Sequence, residues 1–274
     1  MGKRFSVLMR LLTLGREGQS FVGAQWVAAL LRSAPRKHKR RLALWVLSWS
    51  PHYFYRSTAP GSAPLSEREF TEREFERNKS TREKIAAGIL APHLNPVHVA
   101  LDYGCGPGFL ANSVSRRVGA VYGIDVSQGV LECARILNAT PNVTFLHTTQ
   151  LADVADRSID IAYSFAVFQH LTDEVLVTVL AALHDKLKDG GKLIVHVVLD
   201  DDAWKMEEQW RQDTSLKGRV KWKVGLNCFS RNEQAFRAML EAAGFSSIVT
   251  QPIQALCPER FDDICTQHLV CAVK

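Results

Sequence analysis

The sequence predicts an α/β protein built on a doubly wound, mostly parallel sheet. Three observations carry that reading. From residue 97 onward, short apolar runs alternate with stretches of helical period. A glycine-rich turn, Gly104-Cys105-Gly106-Pro107-Gly108, joins the first apolar run to the first helix after it. The second apolar run ends in an acid, Asp125. Strands separated by helices pair in parallel with both faces covered, and such sheets bind ligands outside the carboxyl ends of their strands.

Each element follows from its pattern. Residues 66–90, charged early and apolar late, are expected to form a helix that Pro92 and Pro96 stop. Residues 97–102 read as a buried strand, 109–118 as a helix, 121–125 as a strand and 130–138 as a helix. Residues 143–147 and 159–164 are strands, 173–187 a helix, and 192–199, containing LIVHVVL, a very apolar strand. A helix over 232–243 is stopped by Gly244, and strands over 248–251 and 268–273 close the series. Before residue 57 the chain reads as short amphipathic helices, with Phe5, Leu8, Met9 and Leu12 on one face and Leu42, Trp45, Val46 and Trp49 on another. Residues 57–64, STAPGSAP, are turn-rich and read as a linker.

The composition is that of a globular protein. Of 274 residues 46% are hydrophobic and 23% charged, which excludes disorder, collagen and coiled coil for the whole chain. The net charge of +6 is uneven: residues 1–66 hold eleven Lys/Arg and one acid (Glu17), a charge of +10, and the remainder carries −4. The six cysteines (105, 133, 228, 257, 265, 271) show neither C-x-x-C nor zinc-ligand spacing, so reduced thiols and a cytoplasmic setting are expected, with no metal. No apolar run reaches the roughly 18 residues that span a bilayer, and the front lacks the form of a secretory signal.

The glycine turn is the strongest signal. Glycines let the backbone turn sharply and approach a ligand closely, and Asp102 sets a carboxylate before them. The spacing is G-x-G-x-G; the third glycine of a nicotinamide fingerprint is replaced by Phe109, and the P-loop pattern is absent. A nucleoside-binding loop and a plain turn remain. Asp125 reads either as an acceptor for two ribose hydroxyls or as a helix cap acting with Ser127.

Four motifs in order, DYGCGPG (102–108), GIDVS (123–127), DRSIDIAYSFAVFQHL (156–171) and LKDGGKLIVHV (187–197), resemble the class I S-adenosylmethionine-dependent methyltransferases of the broad small-molecule group. The resemblance covers about residues 67–274. It implies a seven-stranded, Rossmann-like sheet with the last strand antiparallel, preceded by a basic, aromatic helical extension and linker over 1–66. It implies S-adenosyl-L-methionine as cofactor, with Gly104, Cys105, Gly106 and Gly108 wrapping it. By the same resemblance Asp102 matches the acid near the methionine amino group and Asp125, followed by Val126, the ribose acid. Thr148, Thr149 and Gln150 flank the adenine without the Asp that many members carry there. Ser164 and Phe165 lie beside the transferable methyl.

Methyl transfer from a sulfonium is an in-line displacement that needs alignment first and a base for a hydroxyl acceptor. His170, in FQHL after the fourth strand, is the candidate base, against a plain packing role. His196, inside its strand, reads as structural, and His147 faces either way. Asp200-Asp201-Asp202 reads as a solvated loop rather than a Mg²⁺ site. Neither Asn-Pro-Pro-Tyr nor Pro-Cys follows the fourth strand, which disfavours base, glutamine and C5 methylation. The segment 204–229, with Trp204, Trp210, Trp222 and the cations Lys217, Arg219, Lys221 and Lys223, reads as an acceptor cover or a surface lid.

The basic front admits four readings: an arm for an anionic membrane surface over residues 1–56, a nucleic-acid contact through RKHKRR (36–41), an organelle transit segment, and a lid formed by Trp45, Trp49, Tyr53, Phe54 and Tyr55. The first and last together suit a small, apolar or lipid-like acceptor, whereas the net acidic body argues against nucleic acid in the site. MGKRFS also matches a myristoylation pattern at Gly2.

Overall fold

The structure is a computed structural model that describes residues 21–50, 52–54, 65–223, 227–256 and 267–274. The Phe5–Leu12 face, the Gly2 motif, the 57–64 linker, Tyr55, Cys257 and Cys265 lie outside the described residues, as do the side chains of Lys217 and Lys223.

Seven strands form one sheet: β1 (Val99–Tyr103), β2 (Ala120–Asp125), β3 (Val143–His147), β4 (Ile159–Ser164), β5 (Leu187–Val197), β6 (Ser246–Pro252) and β7 (His268–Val273). Their order is β3-β2-β1-β4-β5-β7-β6, and β7 runs antiparallel to both neighbours. This is the doubly wound sheet with an antiparallel last strand that the motifs imply. β5 begins at Leu187, five residues before the expected 192, because a bulge at Gly190 (φ 75°) and Gly191 lets the chain pair with β4 on both sides of it.

The helices are α1 (Gln25–Ser33), α2 (Arg36–Ser48), α3 (Glu67–Ile85), α4 (Phe109–Ser115), α5 (Gln128–Leu137), α6 (Asp173–Lys186), α7 (Glu207–Arg211), α8 (Leu216–Lys223), α9 (Glu233–Ala242) and α10 (Ile253–Leu256). α3 starts at a capping box, in which Ser66 Oγ accepts from Glu69 N–H and Glu69 Oε2 accepts from Ser66 N–H (3.3 and 2.9 Å). It continues into a π-helical turn over Ala86–Leu90. One face of the sheet buries Ile85, Ile89, Leu110 and Val114, and the other buries Leu176, Leu180, Leu183 and Phe236.

The basic front is a layer packed on the body. Val22, Val27, Leu31, Ala43, Leu44 and Leu47 share a core with Phe109, Val130 and Cys133. α5 and the chain entering α1 approach so closely that a Cβ on Gly129 would lie 2.0 Å from the Val22 carbonyl. The expected Leu42–Trp49 face is corrected here. α2 buries Ala43, Leu44, Val46 and Leu47, so Trp45 turns to solvent at 44% exposure.

Candidate active site

The carboxyl ends of β2, β1, β4 and β5 present one continuous face. Asp102 lies beside Gly123 and Tyr163, and Tyr163 beside Ile194. Residues two apart on a strand share a face. Asp125, Asp102, Tyr163, Phe165 and His196 therefore line up across four strands.

The glycine loop closes over the first two. Gly104 and Cys105 both donate to the Ile124 carbonyl (2.7 and 2.9 Å), which folds the loop back on β2. Gly106 N–H donates to Asp125 Oδ2 (2.9 Å) and Ser127 N–H to Asp125 Oδ1 (2.8 Å). Asp125 thus caps and also holds the loop, and each oxygen keeps a further lone pair. Gly104 and Gly106 take φ 78° and 53°, the left-handed region. A Cβ on Gly106 would sit 2.9 Å from the Tyr53 ring, and one on Gly104 would sit 2.3 Å from Val167. The loop is a cradle that side chains would fill, and Gly108 caps α4 beyond it.

The cradle is acidic and dry. Asp102 is 2% exposed, and its Oδ2 has no partner among the described residues. Burial, then the charge of Asp125, push the Asp102 carboxyl up to about 8, opposed by the Arg82 guanidinium. Burial also raises Asp125 and the Cys105 thiol. An orphaned buried carboxyl oxygen is costly. A ligand bearing an ammonium group supplies its partner, and vicinal hydroxyls suit Asp125.

Residues 100–191 match the family model for a methyltransferase domain. Over this stretch the chain is similar to S-adenosylmethionine-dependent methyltransferases. It is 30% identical over 138 residues to a ribosomal protein L11 methyltransferase of Cupriavidus taiwanensis, covering 44% of each chain. It is 32% identical over 129 residues to a ubiquinone biosynthesis O-methyltransferase of Ruegeria pomeroyi, covering 46% of this chain and 47% of the relative. The chain thus spans about half the length of the curated relatives it matches. The fold is similar to that of Haemonchus contortus phosphoethanolamine N-methyltransferase 2 in complex with S-adenosyl-L-methionine (TM-score 0.53, 16% identity, 79% of this chain and 61% of that one).

S-adenosylmethionine, the cofactor of such methyltransferases, carries an ammonium group and two ribose hydroxyls. Beyond β3, His147 faces the site: its Nε2 meets the Val126 carbonyl (2.9 Å) and its Nδ1 meets Thr149 Oγ1 (2.8 Å). Gln150 turns its Oε1 back onto His147 N–H (3.2 Å). Ser164 is buried on the opposite face from Asp102, with its hydroxyl donating to the Tyr103 carbonyl (2.7 Å), while Phe165 stays on the Asp102 face.

His170 sits in a short turn, Phe168–His170, after β4. Its Nδ1 lies 2.8 Å from the Asn227 carbonyl, which can only accept, so the proton is on Nδ1 and Nε2 keeps its lone pair. Burial lowers its pKa, which keeps the ring neutral. Cys228 Sγ lies 3.6 Å from Nδ1, and the His52 ring meets His170 edge-on at 6.0 Å. Arg231, nearly fully buried, fixes the turn by donating to Asp173 (2.7 Å) and to the carbonyls of Phe168 (3.0 Å) and Leu171.

Two segments reach this methyltransferase site from outside the sheet. The segment 204–229 delivers Asn227 and Cys228, anchored by Trp210 Nε1 donating to the Cys228 carbonyl (2.9 Å). The front delivers His52 and Tyr53, whose carbonyl accepts from Asn78 (2.9 Å). Of the expected lid, Tyr53 lies on the glycine loop and Phe54 is buried against Phe70, but Trp45 faces away. Asp200 and Asp201 bond backbone and Asn232, and no cluster of metal-ligating side chains occurs among the described residues. Sequence reading missed Arg82 and His52, which carry no motif.

Proposed function

We propose that the chain transfers a methyl group from S-adenosylmethionine to a nucleophile on a small acceptor, with Asp102 and Asp125 holding the donor and His170 serving as base. The observation that carries this reading is the buried pair of carboxyl groups flanking the glycine loop, one with an oxygen lacking a partner. The bound cofactor supplies an activated methyl on a sulfonium. Asp125 would accept the ribose hydroxyls, and Asp102, after releasing its proton to solvent, would hold the ammonium group. Gly104, Cys105, Gly106 and Gly108 would line the donor, Val126, Thr149 and Gln150 would lie toward its adenine, and Phe165 toward its methyl. Neutral His170 takes the acceptor's proton at Nε2. The rings of His52, Tyr53, Phe165 and His170 suit an apolar or aromatic acceptor. The test is transfer of labelled methyl from S-adenosylmethionine into a lipid extract, an RNA pool and a protein pool: label in the lipid extract supports the reading, and label confined to RNA or protein overturns the acceptor class.

One surface favours an addition to this reading. α2 turns Lys37, His38, Arg41 and Trp45 outward, and α1 exposes Trp26 and Leu30. No acid lies in residues 21–54. A cationic face with aromatic side chains suits an anionic lipid surface. No helix among the described residues is long and apolar enough to cross a membrane. Flotation of the full chain with anionic but not neutral vesicles is expected, and equal recovery with both would refute the idea.

A further inference from the structure

Directly after β4 the chain makes a turn that its own residue disfavours. Ala166 takes φ 59°, a left-handed conformation that non-glycine residues adopt only where the surroundings hold them. One side chain does the holding. His196, fully buried near the end of β5, accepts the Ala166 N–H on Nδ1 at 3.0 Å. Its ring lies parallel to Phe165, with 5° between the planes and 6.2 Å between centroids. Burial keeps the imidazole neutral, so Nδ1 keeps its lone pair and the proton sits on Nε2. The neighbours of His196 in the strand are Ile194, Val195, Val197 and Val198. A polar side chain amid such residues costs stability unless its hydrogen bond is wanted.

We propose that His196 is a positioning residue for methyl transfer: it locks the Phe165–Ala166 turn so that Phe165 stays against the donor methyl and the chain leaves β4 on course for His170. The proposal rests on the methyltransferase reading only in assigning what Phe165 faces. His196 itself touches the turn and not the reacting atoms.

Three variants test it. His196→Leu removes the acceptor at similar bulk. His196→Asn keeps an acceptor oxygen near the position of Nδ1. Ala166→Gly, added to His196→Leu, removes the Cβ that makes the turn unfavourable. In the protein without cofactor, the ¹³Cα and ¹³Cβ shifts of labelled Ala166 report its backbone conformation. With [methyl-¹³C]S-adenosylmethionine, the bound methyl resonance reports the Phe165 ring.

In wild type, Ala166 is expected to show left-handed shifts, and the bound methyl is expected to move away from its free position. His196→Leu loses the Ala166 signature and more than half of the methyl displacement. His196→Asn and the Ala166→Gly/His196→Leu double variant keep that displacement. If His196→Leu does not fold, the other two still carry the test, because both must keep the wild-type methyl shift. Wild-type shifts in His196→Leu, or equal losses in the Leu and Asn variants, overturn the proposal. Failure of the wild type to bind the labelled cofactor overturns the methyltransferase reading instead, and leaves the Ala166 result to stand for itself.

Discussion

Replacing Asp102 by Asn removes a buried carboxyl whose proton affinity couples folding to cofactor binding. Asp102 is held near 8 in the folded protein against 3.8 for an ordinary aspartate. Below pH 4 both folded and unfolded chains hold the proton, and the residue costs nothing. As pH rises, the unfolded chain releases it first, so stability falls by about 1.4 kcal/mol per pH unit until the folded carboxyl ionises near 8. Over that window the loss reaches about 6 kcal/mol. Asn keeps the shape and a carbonyl acceptor without the titration. Urea unfolding at pH 4 to 9 is expected to show Asp102→Asn gaining on wild type by several kcal/mol toward pH 8, with the gap closed at pH 4. Cofactor binding has the opposite demand, because the ammonium group needs the carboxylate. Calorimetry in two buffers of different ionisation enthalpy is expected to show wild type releasing a proton on binding at pH 7. Affinity rises up to about tenfold per pH unit below 8. The Asn variant loses both the slope and at least tenfold in affinity, about the value of one pH unit of coupling. Parallel stability curves for the two proteins from pH 5 to 9 would refute the reasoning.

Three further outcomes follow from the same geometry. Gly106→Ala puts a methyl 2.9 Å from the Tyr53 ring at φ 53°, and is expected to cost about 1–3 kcal/mol of stability and raise the cofactor Kd at least tenfold; an unchanged Kd contradicts the cradle. His170→Gln is expected to lower kcat by about 10²–10⁴ while leaving cofactor affinity intact. The wild-type kcat/KM falls in acid through a midpoint below 6.5, as the imidazole protonates, and the variant lacks that limb. Arg231→Met strips the turn around His170 of its three anchors and leaves Asp173 without its partner. Denaturant unfolding is expected to show a loss of about 1–3 kcal/mol from the unsatisfied carbonyls, and no measurable loss would contradict a supporting role.

Most of the sheet was legible because its signals are local. Apolar runs and the punctuation of Gly104–Gly108 mark β1, β2 and the ligand face between them, and register then brings Asp102 and Asp125 together without further information. The early start of β5 carries no local signal in Asp189, Gly190 and Gly191. In the fold they form a bulge that pairs on both sides, which only the neighbouring β4 can impose. Trp45 was assigned inward from helical period, but its direction depends on which face α5 offers to α2. The acceptor side was legible only at His170. Asn227, Cys228, His52 and Arg82 reach the site from segments distant in sequence, and a lone histidine or arginine in a helix or loop gives no periodic or spacing signal. The role of His196 was equally hidden, since it depends on the backbone angle of Ala166, thirty residues earlier.

The central claim is that Asp125, Asp102 and the glycine loop form a site for S-adenosylmethionine. Isothermal titration of the full chain with S-adenosylmethionine, beside Asp125→Ala, tests it most directly. Saturable binding by the wild type that the variant abolishes, while its circular dichroism stays that of the folded protein, is the expected result. No binding by the wild type at millimolar cofactor, or equal binding by both proteins, would contradict it.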